Sequence, residues 1–187
     1  MNHLFIINPH SGFVKGREEE IIQEIHSFLK NYSYIQYDIH LTRWRRDAVG
    51  FSQEYTQSAK GMVRIYAVGG DGTLFEVING VIGLPNVQVA VCSRPDKNEF
   101  IKNFGGKYSH LFSSFQSMVF ADTVPVNVLR WGHHFGLNIR FKPAANNNTR
   151  VIIDGEEFFG TSAEYETIPD AIDIVHPGKI GKDDCAL

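Results

Sequence analysis

The chain has 187 residues, 43% hydrophobic and 12% aromatic, which suits one domain with a real core, or one domain plus a small appendage. A net charge of −3 and a pI near 6.2 exclude the global basic field of a nucleic-acid binder. Cys92 and Cys185 are far apart and in no metal-type spacing, which argues against a disulfide scaffold and for a reduced, cytoplasmic setting. No signal peptide is visible and no apolar run approaches the roughly 20 residues of a membrane span, so any membrane contact is expected from the surface.

In chain order, Leu4–Ile7 reads as a buried strand, followed by the loop Asn8–Gly16. Arg17–Asn31 is a predicted helix with Ile21, Ile22, Ile25, Phe28 and Leu29 on one face. Tyr34–Leu41 is a second strand, and Asp47–Ala59 a helix with Ala48, Phe51, Tyr55 and Ala59 on one side. Met62–Val68 is a third strand, Thr73–Ile82 a third helix and Val87–Val91 a fourth strand; Asn98–Phe104 and Leu111–Phe120 read as short helices. Four alternations of strand and helix, with mostly apolar strands, predict an α/β fold: a Rossmann-like, doubly wound parallel sheet covered on both faces. Its ligands are expected at the carboxyl ends of the strands.

The pattern changes near Thr123. Val124, Val126 and Val128 alternate with other residues, as do Phe135, Leu137, Ile139 and Phe141, and Gly132 between the two runs predicts a hairpin. Lys142–Arg150, with Asn146-Asn147-Asn148, reads as a linker or turn. Val151–Ile153 and short strands around Phe158 and Ile172–Val175 complete a mainly β tail. The expected division is a nucleotide-binding α/β domain over 1–122 and a short β-rich extension over 123–187.

Between the third strand and third helix stands "GGDGT", Gly69–Thr73. Glycines allow positive φ and close approach of a ligand to the backbone. Backbone N–H groups there, with the following helix N-terminus, form an anion site. Asp71 would repel a bare phosphate, so it is expected on a bound Mg²⁺, a ribose hydroxyl or an orienting donor. Thr73-x-x-Glu76 has the spacing of a capping box. From the residues alone, the ligand is a phosphate-bearing one.

"GGDGTLFEVING" closely resembles the nucleotide loop of the bacterial diacylglycerol kinase and sphingosine kinase family. Two more matches follow in order: "NPHSG" (Asn8–Gly12) after the first strand, and "TRWRRDA" (Thr42–Ala48), similar to that family's threonine loop. Together they cover most of residues 1–90. NAD kinases of the same superfamily share a GGDG loop, but the other two motifs favour the lipid kinases. The resemblance implies the N-terminal domain fold of NAD kinases and diacylglycerol kinases. It also implies ATP with Mg²⁺, bound by Asn8, Pro9, His10, Ser11, Gly12, Thr42, Gly69, Gly70, Asp71, Gly72, Thr73, Leu74 and Phe75. Asp71 joins Glu156 as a catalytic residue: "VIIDGEEF" resembles the family's D-G-E motif, and Glu156 matches the presumed base. Read from the residues alone, Asp154-Gly155-Glu156 is equally a turn between strands.

Two departures stand out. The family's fourth motif resembles G-T-x-N-D-F; here the stretch is "RPDKNEFIKNFG", which keeps Asn98 and Phe100, has Glu99 for aspartate, and has Pro95 and Asp96 for glycine and threonine. A negative Asp96 near phosphates is expected to weaken ATP binding. Family kinases also have a substantial second β domain with a structural metal site. Here "VNVLRWGHHFGLNI" resembles its entry and "VIIDGEEF" its far end, so most of that domain is expected to be absent. The histidines form no credible metal site, and His133-His134 reads as a solvated turn. Arg43, Arg45 and Arg46 suit phosphates, anionic lipid or plain solvation; Trp44 suits an interfacial anchor or a cap on the core.

The sequence therefore predicts a diacylglycerol-kinase-like enzyme acting on a lipid or lipid-like hydroxyl, weak or inactive if the departures dominate. Its partners are nucleotide and a lipid acceptor, with peripheral membrane contact, no nucleic acid, and self-association through Thr123–Val175. The alternatives are a non-catalytic nucleotide-binding module of the same fold and, less in keeping with the motifs, an NAD kinase.

Overall fold

Four parallel strands, β1 (Asn2–Ile7), β2 (Gln36–Leu41), β3 (Val63–Val68) and β4 (Val87–Cys92), alternate with α1 (Glu18–Leu29), α2 (Asp47–Ser58) and α3 (Asp71–Val81). The structure is a computed structural model and describes residues 1–102, 108–144, 148–161 and 163–178. Every residue of β3 is buried, including Arg64, whose guanidinium donates to Gln88 Oε1 and to the Met118 and Val119 carbonyls, whereas β2 has none fully buried and lies at the sheet edge. α1 buries Ile21, Ile25 and Leu29 against the sheet, each such side chain contributing about 1.5–3 kcal/mol. α2 turns slightly differently from its predicted face. Its buried stripe is Ala48, Ser52 and Thr56, with Phe51 and Tyr55 packed at the flank. Small residues are needed there because Gly80 of α3 presses against Ser52 and the Val49 backbone.

The β tail is β5 (Asp122–Trp131), β6 (His134–Gly136), β7 (Ile139–Pro143), β8 (Thr149–Ile153), β9 (Glu156–Gly160) and β10 (Glu166–His176). The large sheet runs β2-β1-β3-β4-β10-β5-β6, and a small antiparallel sheet runs β7-β8-β9. β10 is parallel to β4 and antiparallel to β5, so the last strand enters the middle of the sheet. The sequence showed only its apolar end, Ile172–Val175. The α/β class and the mostly parallel sheet are as expected; strands after residue 122 are shared between the two sheets.

The run Phe135–Phe141 is not one strand. The Asp154 carboxylate accepts the N–H groups of Leu137 and Asn138, both at 2.8 Å, which removes them from the ladder and sends β7 into the second sheet. A second small core forms where that sheet meets α3: Phe75, Val151 and Ile153 are buried, with Trp131, Ile139, Phe141 and Phe158 packed around them. The predicted helix Leu111–Phe120 is split into a 3₁₀ turn, His110–Ser113, and a helix, Phe115–Val119, because the Ser114 hydroxyl caps the latter through Ser117 N. Of Asn98–Phe104, Glu99–Lys102 is helical (α4); residues 103 and 104, like Asn146, Asn147 and Cys185, lie outside the described residues.

Candidate functional site

Three loops meet at the carboxyl ends of adjacent strands, and main-chain bonds fix them side by side. Thr42 N donates to Ile7 O, Asn8 N to Val68 O and Gly69 N to Cys92 O, at 2.9, 3.0 and 3.0 Å. The motif loops after β2, β1 and β3 are therefore one continuous ledge. Asn8 Nδ2 also donates to Thr73 Oγ1 at 3.1 Å, and Asn8 Oδ1 accepts from His10 N. Pro9 and Ser11 are half-buried, Gly12 and His10 exposed, and Thr42 is buried.

The glycine loop is shorter than its sequence suggests. α3 begins at Asp71, so only Gly69 and Gly70 lie between strand and helix, while Gly72 and Thr73 are in the first helical turn. The expected positive φ is not used at Gly69, Gly70 or Gly72. Close approach is the reason for glycine. A Cβ on Gly69 would come within 2.9 Å of Thr73 Cβ and nearer still to its hydroxyl; on Gly70 it would stand 3.3 Å from Lys97 O, and on Gly72 3.1 Å from Glu156 Oε1. Gly69→Ala is accordingly expected to lower stability by about 1–3 kcal/mol through overpacking, part of which Thr73→Ala restores by removing the hydroxyl and methyl. Thermal unfolding of both single variants and the double variant checks this.

Thr73 does not cap α3, and the capping box is a misreading. The N-cap position is Gly70, and among the described residues no side chain caps this helix, which leaves its first N–H groups facing the ledge. Glu76 serves a different helix. Its two carboxylate oxygens accept from Arg46 N (2.8 Å) and Ala48 N (3.3 Å) and so cap the N-terminus of α2 across the α2–α3 contact. Arg46 itself takes the left-handed conformation, φ 67°. Glu76→Ala is expected to cost about 1–2 kcal/mol, within the range of N-cap losses, measured by urea unfolding. The side chains of Leu74 and Phe75 are buried in the main and the second core respectively.

Asp71 takes an orienting donor. Its Oδ1 accepts from Glu99 N at 2.8 Å and docks α4 onto the glycine loop. Burial pushes its carboxyl up from the usual range, against the pull of that bond. Asn98 is buried and caps the same turn through Ile101 N (3.0 Å), while its Nδ2 has no partner among the described residues. Asp96 is not a bare charge beside the loop: Arg94 at 2.9 Å and Lys97 at 3.3 Å neutralise it. Lys97 also lies over the ledge, its side chain 3.6 Å from where a Cβ on Gly12 would be. Sequence reasoning missed Lys97, although it sits in the altered fourth motif, where a cation offsets the added aspartate. Glu99 pairs with Lys102 at 2.5 Å and Arg140 at 3.5 Å.

Asp154-Gly155 is a two-residue hairpin turn with φ of 44° and 85°, the mirror-image geometry that suits a strand twist. The turn reading of the D-G-E stretch therefore holds, and this turn also carries Glu156 to the start of α3 beside Gly72. Asp154 is 3% exposed, and burial pushes its carboxyl up to about 7. Glu156 is paired with Arg45 at 2.5 Å. Together with Arg46, Phe75, Glu76, His134 and Phe158 they line a cleft of about 250 Å³. His134 is not a solvated turn residue; it is half-buried and stacks on Phe158 with centroids 3.9 Å apart, while His133 is exposed. Trp44 does not cap the core: it is 59% exposed, with the Arg43 guanidinium 4.2 Å above its ring. Among the described residues no cluster of three or more His, Cys, Asp or Glu could hold a metal ion alone, and no helix is long and apolar enough to cross a membrane.

Comparison with known proteins follows the same lines. A family model, the diacylglycerol kinase catalytic domain, matches residues 2–131. Among solved structures, a diacylglycerol kinase from Bacillus anthracis str. Sterne is 14% identical, with 94% of this chain and 96% of that one covered at a TM-score of 0.68. Two structures of a candidate diacylglycerol kinase from the same strain are each 22% identical, with TM-scores of 0.59 and 0.54 over 78% and 74% of this chain. The chain spans about half the length of those two, 49% and 47%. At such identities the likeness speaks for the fold alone. The search of curated proteins gave no match.

Proposed function

The chain belongs to the diacylglycerol kinase catalytic domain family, and from that premise we propose that it transfers the γ-phosphoryl group of ATP to the hydroxyl of a lipid or lipid-like acceptor. The observation that carries this reading is the meeting of Glu156 with the glycine loop, close enough that Gly72 has no room for a side chain without crowding Glu156 Oε1. That contact sets a carboxylate beside an uncapped helix N-terminus.

In this reading residues 1–122 supply the nucleotide site. The ledge Asn8–Gly12, Thr42 and Gly69–Thr73 receives the phosphates on backbone N–H groups and on Lys97. A cradle in which glycines leave room where Cβ atoms would crowd Lys97 and Glu156 fits such a ligand. Asp71 would hold Mg²⁺ together with phosphate oxygens, since Mg²⁺ needs only one or two carboxylates when a nucleotide supplies the rest; the ion supplies charge neutralisation at the transferred group. Glu156 accepts the proton as the acceptor oxygen forms its bond to phosphorus, and ADP departs with the bonding electrons of the broken linkage. Phe75 and Phe158 shield that step from water.

The Arg45–Glu156 pair favours a second reading, a nucleotide-binding module whose base is occupied. Labelled ATP offered with diacylglycerol and other lipid alcohols separates the two: a labelled lipid supports the kinase, and ADP binding by calorimetry without any labelled acceptor supports the module. We also propose self-association through the β tail, where β7 and β9 are strand edges and Phe159 and Tyr165 are 65% and 54% exposed. Sedimentation at several concentrations is expected to show a dimer.

A further inference from the structure

Arg46 is a cation in the Glu156 cleft with no ion pair among the described residues. The other charged groups there are already engaged. Both oxygens of Glu76 are held by backbone N–H groups of α2, and Glu156 is held by Arg45. The Arg46 backbone is pinned at φ 67° by its own N–H bond to Glu76, so its side chain leaves the loop in a set direction. It stands near His134, whose proton affinity its charge helps to lower after burial has done so first. The floor of the cleft is His134 stacked on Phe158, with Phe75 beside them.

The volume, about 250 Å³, falls below the roughly 300–1,000 Å³ of pockets that enclose drug-sized ligands. The cleft has room for a polar headgroup, with any acyl chain lying outside it. A planar guanidinium with open donors matches a phosphate oxygen pair better than a neutral glyceride. Resting on the kinase reading above, we propose that the acceptor carries a phosphate group next to its reacting hydroxyl, with Arg46 holding the phosphate and Glu156 facing the hydroxyl. The entering phosphate offers Arg45 a second partner and so frees Glu156 to act as base.

The test is calorimetric titration of the full chain, saturated with ADP, with three hydroxyl compounds: 1-hexanoylglycerol 3-phosphate, glycerol 3-phosphate and 1,2-dihexanoylglycerol. The phosphate compounds are expected to bind at least about tenfold more tightly than the neutral glyceride. Of the two, a tighter acylated compound identifies a lipid source and equal affinities a soluble one. Arg46→Asn, which tolerates a left-handed backbone, is expected to lower phosphate-ligand affinity about tenfold, whereas Lys30→Gln at the far end of α1 leaves it unchanged. If Arg46→Asn does not fold, the wild-type comparison still decides. Equal binding of the neutral glyceride, indifference to Arg46→Asn, or loss of phosphate-ligand binding when ADP is present overturns the proposal, the last by placing Arg46 in the nucleotide site. Phosphoryl transfer on the same samples keeps the two ideas apart. Labelling of the neutral glyceride irrespective of Arg46 upholds the kinase and sinks the phosphate subsite. Arg46-dependent binding without labelling of any acceptor does the reverse.

Discussion

Glu156→Gln is expected to lower phosphoryl transfer by about 10²–10⁴-fold, the usual loss when a positioned base is removed, with ADP affinity unchanged. The amide has the shape of the carboxylate but cannot take a proton at neutral pH. It also loses the ion pair with Arg45, which is 73% exposed and therefore adds little to stability. The melting temperature should thus hardly move while kcat falls. Single-turnover rates with labelled ATP, beside ADP calorimetry, read the two quantities independently. Unchanged turnover in the variant would remove Glu156 from the mechanism and leave the hairpin as a purely structural turn.

The largest expected effect on stability comes from the neighbouring Asp154. Burial raises its carboxyl to about 7; the N–H bonds from Leu137 and Asn138 oppose that rise and the charge of Asp71 adds to it. The unfolded chain releases this proton near its ordinary value of about 3.9, so between about pH 4 and 7 the folded chain holds a proton that the unfolded chain has lost. The stabilising contribution is fully present below about pH 4 and is lost as pH rises through about 7, a change of up to roughly 4 kcal/mol. Asp154→Asn cannot titrate and abolishes this slope, at the cost of one of the two N–H bonds. Carboxylates held low by cationic partners, such as Asp96 with Arg94 and Glu99 with Lys102, slope the other way but are common to both chains and cancel in the difference. Urea unfolding of wild type and variant at pH 4.5, 6 and 7.5 measures it; parallel curves would mean that Asp154 is ionised throughout.

Much of the first half was legible because local signals and tertiary structure agree there. The mostly apolar runs at β1, β3 and β4 are buried parallel strands, β2 is the half-polar edge strand, and the motif loops lie at their carboxyl ends. The misreadings have physical causes. Thr73 and Glu76 have the spacing of a capping box, but spacing cannot show that the helix starts two residues earlier or that Glu76 faces a neighbouring helix. Asn127 to Asp170 and Leu137 to Asp154 are contacts between strands remote in sequence, which no periodicity reveals. Lys97 was invisible for the same reason: its importance lies in what it lies over. Of the two reasons the sequence offers for these glycines, positive φ does not apply, and at Gly69 crowding by Thr73 excludes a side chain.

The place of β10 in the sheet has a consequence for how the chain is made. β4 gains its second neighbour only when residues 166–176 arrive, about 75 residues after β4 itself has been synthesised. At translation speeds of about 5–20 residues per second, the growing chain holds an open, mostly apolar strand edge for several seconds. That interval is when a nascent chain with β1 to β4 already paired is most exposed to edge-on aggregation. A ribosome-stalled chain ending near residue 160 should bind a general holdase and resist no protease at β4, whereas one that has exposed residue 176 beyond the exit tunnel should do the opposite. The glycine ledge, assembled early from the first four strands, would thus wait for a strand encoded far downstream before its foundation is closed.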